Sequence, residues 1–387
     1  MTSIVDCLAA DRDAATLIGR IELPEGPTPV RVREGRVQDI SGFAPTCADA
    51  LALADDLAVF EGRDLGALAD MDFATVWDAP SPDAVKLLSP VDLQCVKASG
   101  VTFAVSAVER VIEERARGDA AAADEIRKAL KDKVGADLSA VKPGSEQAAA
   151  LKTALIADGL WSQYLEVAIG PDAEIFTKAP ILSSVGWGDY VGVRSDSAWN
   201  NPEPEVAVVC DAAGRILGAT LGNDVNLRDI EGRSALLLGK AKDNNASAAL
   251  GPFIRLFDDA FTLDDLRQAT ISLEVVGEDG FVMKGESSMS LISRDPVELV
   301  GQTIGRHHQY PDGLILYLGT MFAPIEDRDA PGGGFTHKPG DRVRVSSPRL
   351  GVLDNKVTTS DQAPPWTLGV SGLMRNLASR GLLGGAR

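Results

Sequence analysis

At 387 residues the chain is too long for a single small binding module and fits two domains, or one large domain with an appended one. With 45% hydrophobic and 24% charged residues it carries enough apolar material for a large core, which excludes an extended disordered chain. A formal net charge of −18 repels phosphate backbones and anionic headgroups, so neither nucleic acid nor a membrane surface is an expected partner. Any site for an anionic substrate must then hold its own cations, from Lys, Arg or a bound metal.

No stretch approaches the roughly 18 to 20 consecutive apolar residues of a membrane span, and the opening, with Asp6, Asp11 and Asp13, is acidic, so a cytoplasmic location is expected. Cys7, Cys47, Cys95 and Cys210 form no C-x-x-C pair and read as reduced, mostly buried thiols. Histidine is confined to His307, His308 and His337, and no G-x-S-x-G nucleophile elbow is present.

Residues 1–85 read as short strands and turns, with alternation over 28–33 and an alanine-rich helical run over 47–59, which predicts a small N-terminal α/β domain. Helical apolar spacing follows over 106–133 (Val108, Val111, Ile112, Ile126, Ala129, Leu130) and over 145–169 (Leu151, Leu155, Leu160, Leu165). From Glu174 the texture turns to β, with strand-turn-strand patterns over 206–220 and 272–284. A helix over 295–308, with His307 and His308 suited to its C-terminal end, precedes strands over 314–318 and 342–346. Residues 86–387 thus read as a larger strand-rich domain with a helical C-terminal tail. The Pro331-Gly-Gly-Gly334 run reads as a flexible loop able to serve as a lid.

The segment Asn201-Pro-Glu-Pro-Glu-Val-Ala-Val-Val-Cys210 carries the chemistry. On a strand Glu203 and Glu205 share a face, and Pro202 and Pro204 argue against a central ladder position, so the two carboxylates are expected at an edge. Asp224 lies at the end of the next strand, where a hairpin returns it toward Glu205. Three converging carboxylates suit Mg²⁺, which keeps further octahedral positions for water or substrate oxygens. Taken alone, E-x-E also describes a solvated strand face.

The run Pro202-Glu-Pro-Glu-Val, with Gly222-Asn-Asp-Val-Asn-Leu-Arg-Asp229, Gly239-Lys-Ala-Lys-Asp243, Leu250-Gly-Pro252, Gly319-Thr320, Pro339-Gly-Asp341 and Gly351-Val-Leu-Asp-Asn-Lys-Val357, resembles the fumarylacetoacetate hydrolase family. The resemblance implies an α+β fold, a mixed β-roll with flanking helices. It also implies a Mg²⁺ or Mn²⁺ site with Glu203, Glu205 and Asp224 as ligands, and homodimers or dimers of dimers.

Within that family, Asp92-Leu-Gln, Gly100-Val-Thr-Phe103, Glu109-Arg-Val-Ile-Glu-Glu114, Glu174-Ile-Phe-Thr-Lys178, His308-Gln-Tyr-Pro-Asp-Gly313 and Met374-Arg-Asn-Leu resemble the branch that dehydrates 2-keto-3-deoxy-D-xylonate or D-arabinonate. The branch implies Glu174 and Lys242 as catalytic, with Lys240 as a rival for the lysine, and Phe103, Ser106, Lys178 and Thr320 at the substrate. For Lys178, pairing with an acidic neighbour is an equal alternative, and Arg228 and Asp229 are expected to fix each other. The family's hydrolases carry a water-activating histidine soon after the motif that Gly100-Val-Thr-Phe103 resembles, whereas this chain reads Ala104-Val-Ser-Ala-Val-Glu-Arg110. That absence weighs toward elimination. The expected activity is a hydro-lyase reaction yielding 2,5-dioxopentanoate. The alternatives are hydrolysis of acylpyruvate-like diketones and non-catalytic binding of keto-acids to a metal.

Overall fold

The computed structural model describes residues 4–384 except 58, 80, 121, 124, 127–140, 323, 325 and 331–333. The helical expectation at Ala129 and Leu130, and the lid expectation at Pro331, Gly332 and Gly333, lie outside the described residues.

Ten strands of the larger sheet run in the order Arg63–Ala67, Arg36–Asp39, Gly26–Arg33, Leu17–Leu23, Ala248–Leu256, Ile216–Asp224, Pro204–Cys210, Leu314–Tyr317, Cys95–Gly100, Glu174–Ala179. Leu17 and Ile18 pair with Arg255 and Ile254, so the N-terminal strands continue the sheet of the later residues, and hydrogen bonding crosses the boundary expected near residue 85. A second sheet is ordered Val282–Ser288, Thr270–Val276, Arg342–Ser347, Gly351–Thr359, Tyr190–Val193.

Pro204–Cys210 is buried throughout, and its two faces feed different apolar clusters, Val206 and Val208 one and Ala207 and Val209 the other. This corrects the edge position expected from the prolines. The strand is central over 207–210, where Leu314–Tyr317 pairs on one side and Ile216–Asp224 on the other. Pro204 has only Asn223 as a ladder partner, because Leu314–Tyr317 does not reach it; on that side its carbonyl accepts from the Met321 N–H at 3.3 Å, and its missing N–H breaks no ladder bond. The end of a central strand is therefore freed to carry carboxylates.

The helices are shorter than their apolar periodicity suggests. The run over 47–59 gives only Cys47–Ala52, opened by a capping box between Thr46 and Asp49. The first long pattern gives Ala104–Ala116, ended by Arg117 in the left-handed region, and helix resumes at Ala120 and includes Ile126. The second divides into Glu146–Ala157, capped by Ser145, and Gln163–Ile169, capped by Ser162. Pro296–Thr303 stops at Ile304, which is extended, so His307 and His308 lie exposed beyond the helix and not on its last turn. The tail helix Val370–Ser379 buries Leu373 and Leu377 against Leu182. Among the described residues no helix is long and apolar enough to cross a membrane.

Candidate functional site

The hairpin of Pro204–Cys210 and Ile216–Asp224 brings three carboxylates together at one end. Pro204 faces Asn223 in register, the Asp224 N–H donates to the Glu203 carbonyl at 3.0 Å, and the Glu203 N–H donates to Asn223 Oδ1 at 3.1 Å. Glu203, Glu205 and Asp224 each offer a carboxylate oxygen within 4.8 Å of the others, and all three are buried. Glu205 accepts hydrogen bonds from the Gly319 N–H at 2.8 Å and from Thr320 Oγ1 at 3.3 Å.

Buried cations surround the trio. Lys242 Nζ lies 2.5 Å from Glu203 Oε2 and 3.0 Å from Asp224 Oδ2, and Lys178 Nζ lies 2.8 Å from Asp224 Oδ1. The Arg110 Nη2 donates to Glu203 Oε1. Arg110 also pairs with Glu113 and Glu231, and Arg228 pairs with Glu113. Burial alone would raise the Glu203 carboxyl, but Lys242 and Arg110 outweigh it and hold it down to about 2. In turn Asp224 and Glu203 raise the Lys242 ammonium against its own burial.

Charge counting identifies what the site lacks. Glu113, Glu203, Asp224 and Glu231 are matched by Arg110, Lys178, Arg228 and Lys242, four against four. Glu205 is outside this balance. Among the described residues it has no ion pair, and burial together with Asp224 and Glu203 pushes its carboxyl well above the ordinary range. An all-oxygen donor set with one uncompensated carboxylate fits a divalent cation of the Mg²⁺ type, held by Glu203, Glu205 and Asp224.

Glu174 stands in the wall of the same small cavity, together with Ser99, Ser106, Arg110, Glu231 and Thr320. It pairs in register with Gly100, and a Cβ at residue 100 would sit 1.9 Å from Glu174 Oε2, so only glycine leaves room for this carboxyl. Burial, reinforced by Glu231, raises its pKa to about 7. A group that titrates there both takes and returns protons near neutral pH. Replacing Gly100 by Ala should displace the Glu174 side chain and lower kcat at least tenfold, with the melting temperature within a few degrees of wild type; unchanged kcat would show that the carboxyl does not need this position.

The other sequence-derived candidates separate clearly. Thr320 lines the cavity and touches Glu205. Ser106 also lines it, but its hydroxyl accepts from the Phe103 N–H at 3.4 Å, which caps the helix Ala104–Ala116, and donates to the Phe103 carbonyl at 2.8 Å. Phe103 is buried core and borders a neighbouring pocket with Leu291, not the carboxylate cavity. Lys178 is fully buried behind Asp224, its ammonium also donating to the Val225 and Lys242 carbonyls, so the acidic-neighbour alternative describes its contacts. Lys240 is exposed, 3.8 Å from Asp196; two residues along a helix is more than half a turn, which sends Lys240 to solvent and Lys242 inward. Arg228 and Asp229 do not pair with each other. Adjacent helical residues diverge, and Arg228 goes to Glu113 while Asp229 accepts from Ser197 and the Ala198 N–H. Arg110, Glu113 and Glu231 have no role assigned from the sequence, although Arg110 and Glu113 lie in the Glu109–Glu114 segment that carries the branch resemblance; their further local signal is the R-x-x-E spacing that puts Arg and Glu on one helix face.

A family model described as fumarylacetoacetate (FAA) hydrolase C-terminal matches residues 197–358, the stretch that contains the trio. The chain is 36% identical over 183 residues to a 2-dehydro-3-deoxy-D-arabinonate dehydratase of Saccharolobus solfataricus, a match covering 46% of this chain and 57% of that protein. It is 32% identical over 196 residues to a probable 2-keto-3-deoxyxylonate dehydratase of Haloferax volcanii, covering 51% and 64%. The chain thus spans less than two thirds of either relative. Among solved structures, a 2-keto-3-deoxy-D-arabinonate dehydratase complexed with magnesium and 2,5-dioxopentanoate superposes with a TM-score of 0.62 at 23% identity, over 89% of this chain and 99% of that one. A fumarylacetoacetate hydrolase from Exiguobacterium antarcticum gives a TM-score of 0.53 at 19% identity, over 89% of this chain and 100% of that one. The expected α+β architecture is the one these structures share, and the chain carries a domain of the fumarylacetoacetate hydrolase family over residues 197–358.

Proposed function

We propose that the chain is a metal-dependent hydro-lyase that removes water from a 2-keto-3-deoxy-D-pentonate to give 2,5-dioxopentanoate. The observation that carries this reading is a divalent-cation donor set, Glu203, Glu205 and Asp224, of which Glu203 and Asp224 line the same cavity as a carboxyl poised near neutrality, Glu174. The dehydratase names of two curated relatives support the substrate class. The magnesium and 2,5-dioxopentanoate held by the superposable structure support the cation and the product.

When bound, Mg²⁺ or Mn²⁺ supplies the positive charge that polarises a 2-oxo group and acidifies the neighbouring carbon. Glu174 then takes a proton from C3. The C4 hydroxyl leaves as water, and the same carboxyl, now protonated, is the donor to the departing oxygen. Transfer of a proton from C5 to C3 then shifts the double bond from C3–C4 to C4–C5, and the resulting enol ketonises by giving its hydroxyl proton to C4, which leaves an aldehyde at C5; the net change is the loss of one water. Thr320, which lines the cavity, donates to Glu205 and orients that carboxylate. Lys242 bridges Glu203 and Asp224 and adds a cation at the cavity wall for an anionic substrate. No histidine is needed, because water leaves and does not attack; His337 is buried with its Nδ1 against Asp341, and His307 and His308 are exposed.

Removal of divalent ions by a chelator should abolish turnover, and Mg²⁺ or Mn²⁺ should restore it. Full activity after verified metal removal would overturn the reading. The homodimer or dimer of dimers implied by the family resemblance belongs to the same proposal, and light scattering on the eluted protein measures it.

A further inference from the structure

Arg110 is bound more tightly than a cavity-wall residue needs to be. It opens an R-x-x-E sequence that closes at Glu113 on the helix Ala104–Ala116, and a second R-x-x-E runs from Arg228 to Glu231 on the short helix Arg228–Glu231. The two motifs pair crosswise. Arg110 Nη1 lies 2.5 Å from Glu113 Oε2 and 3.1 Å from Glu231 Oε2, and Arg228 Nε lies 3.0 Å from Glu113 Oε1. All four side chains are buried. The helices meet closely, since a Cβ on Gly118 would come within 2.4 Å of the Asp229 carbonyl. Arg228 is fixed on its far side by the Pro324 carbonyl at 3.0 Å and by the Trp199 ring, 5.4 Å from its guanidinium carbon.

Two arginines and two glutamates balance one another, so this ring does not require Glu203 for neutrality. Arg110 nevertheless extends its second amino group to Glu203 Oε1, while Lys242 holds Oε2. Each oxygen of that carboxylate is thereby fixed from behind by a cation whose own orientation is set by other groups. Such outer contacts orient ligating carboxylates, and their removal commonly weakens metal binding about 10- to 100-fold.

We propose that Arg110 is a positioning residue, held by the crossed pair of R-x-x-E motifs so that it fixes the Glu203 carboxylate for a divalent cation. The inference rests on the reading of Glu203 as a metal ligand. Glu113 and Arg228 are not among the residues that line the cavity, so their influence on the cation passes through Arg110.

The test is calorimetric titration of the metal-stripped full chain with Mn²⁺, without substrate. Glu113→Gln and Arg228→Lys should each raise the Mn²⁺ dissociation constant about tenfold or more. Their kcat should return toward wild type at saturating Mn²⁺, with KM for the keto-acid little changed. Glu114→Gln is the control, because Glu114 lies on the same helix but bonds Ser162 and Gln163 outside the ring, and it should leave Mn²⁺ affinity unchanged. Arg228→Lys keeps the charge and serves if Glu113→Gln fails to fold. Wild-type affinity in the ring variants, or equal weakening in the control, overturns the positioning role. Failure of the wild type to bind Mn²⁺ overturns the metal reading itself, and the inference with it.

Discussion

Replacing Glu174 by Gln should lower kcat by about 10² or more while leaving KM within a few-fold of wild type. The substitution keeps the shape of the side chain and removes only its capacity to exchange a carboxyl proton, and placed acid–base groups contribute roughly 10² to 10⁴ in rate. Wild-type kcat/KM should rise with pH along an acid limb as Glu174 ionises. The limb should fall at or below pH about 7, because a bound divalent ion adds positive charge near a carboxyl that burial alone lifts to about 7. That limb should be absent from the residual activity of the Gln variant. Glu174 also has a definite stability signature. Its folded pKa exceeds the ordinary glutamate value of 4.5, so the folded state binds the extra proton and this contribution is lost as pH rises from about 4.5 to about 7. A loss confined to KM, or a limb that survives the substitution, would make Glu174 a binding residue.

Lys242→Met should have the largest effect on stability. The ammonium is 2% exposed and neutralises Glu203 and Asp224 together, so its removal strands buried negative charge, which costs about 3–5 kcal/mol. A divalent cation at the trio replaces the missing charge, so Mg²⁺ should raise the denaturation midpoint of the variant by more than that of wild type. Lys240→Met provides the contrast. Its ammonium is exposed and 3.8 Å from an exposed Asp196, a pair worth at most about 1 kcal/mol, and the substitution should be nearly neutral. Equal Mg²⁺ responses in wild type and Lys242→Met would separate Lys242 from the metal site.

The trio was legible because it follows from two local rules. Side chains alternate along a strand, which aligns Glu203 with Glu205, and a short hairpin returns Asp224 to the same end. What the prolines do at that end was not legible, since a proline near a strand terminus reads the same whether the neighbouring strand stops short of it or is absent altogether. Leu314–Tyr317 is the strand that stops short, and it lies about a hundred positions away in sequence. The pairing of Leu17 with Arg255 is equally without local signature. The family resemblance marked both lysines at 240 and 242, but only the rotation of the short helix Leu238–Lys242 decides which one is buried. Lys178 shows the opposite limit. Strand alternation gives its face but not whether the end of the side chain meets a substrate or, as here, Asp224 and two backbone carbonyls. The crossed R-x-x-E ring joins two helices more than a hundred residues apart, and each motif alone looks like an ordinary intrahelical ion pair.

The central claim is elimination of water at a site built on Glu203, Glu205, Asp224 and Glu174, and product identification tests it most directly. The chain should be incubated with 2-keto-3-deoxy-D-xylonate, with 2-keto-3-deoxy-D-arabinonate and with an acylpyruvate, each with and without Mg²⁺, and the products resolved by mass spectrometry. At least one of the pentonates should yield 2,5-dioxopentanoate, dependent on the ion, and the acylpyruvate should not be cleaved. Metal-dependent carbon–carbon cleavage of the acylpyruvate, with both pentonates returned unchanged, would contradict the claim.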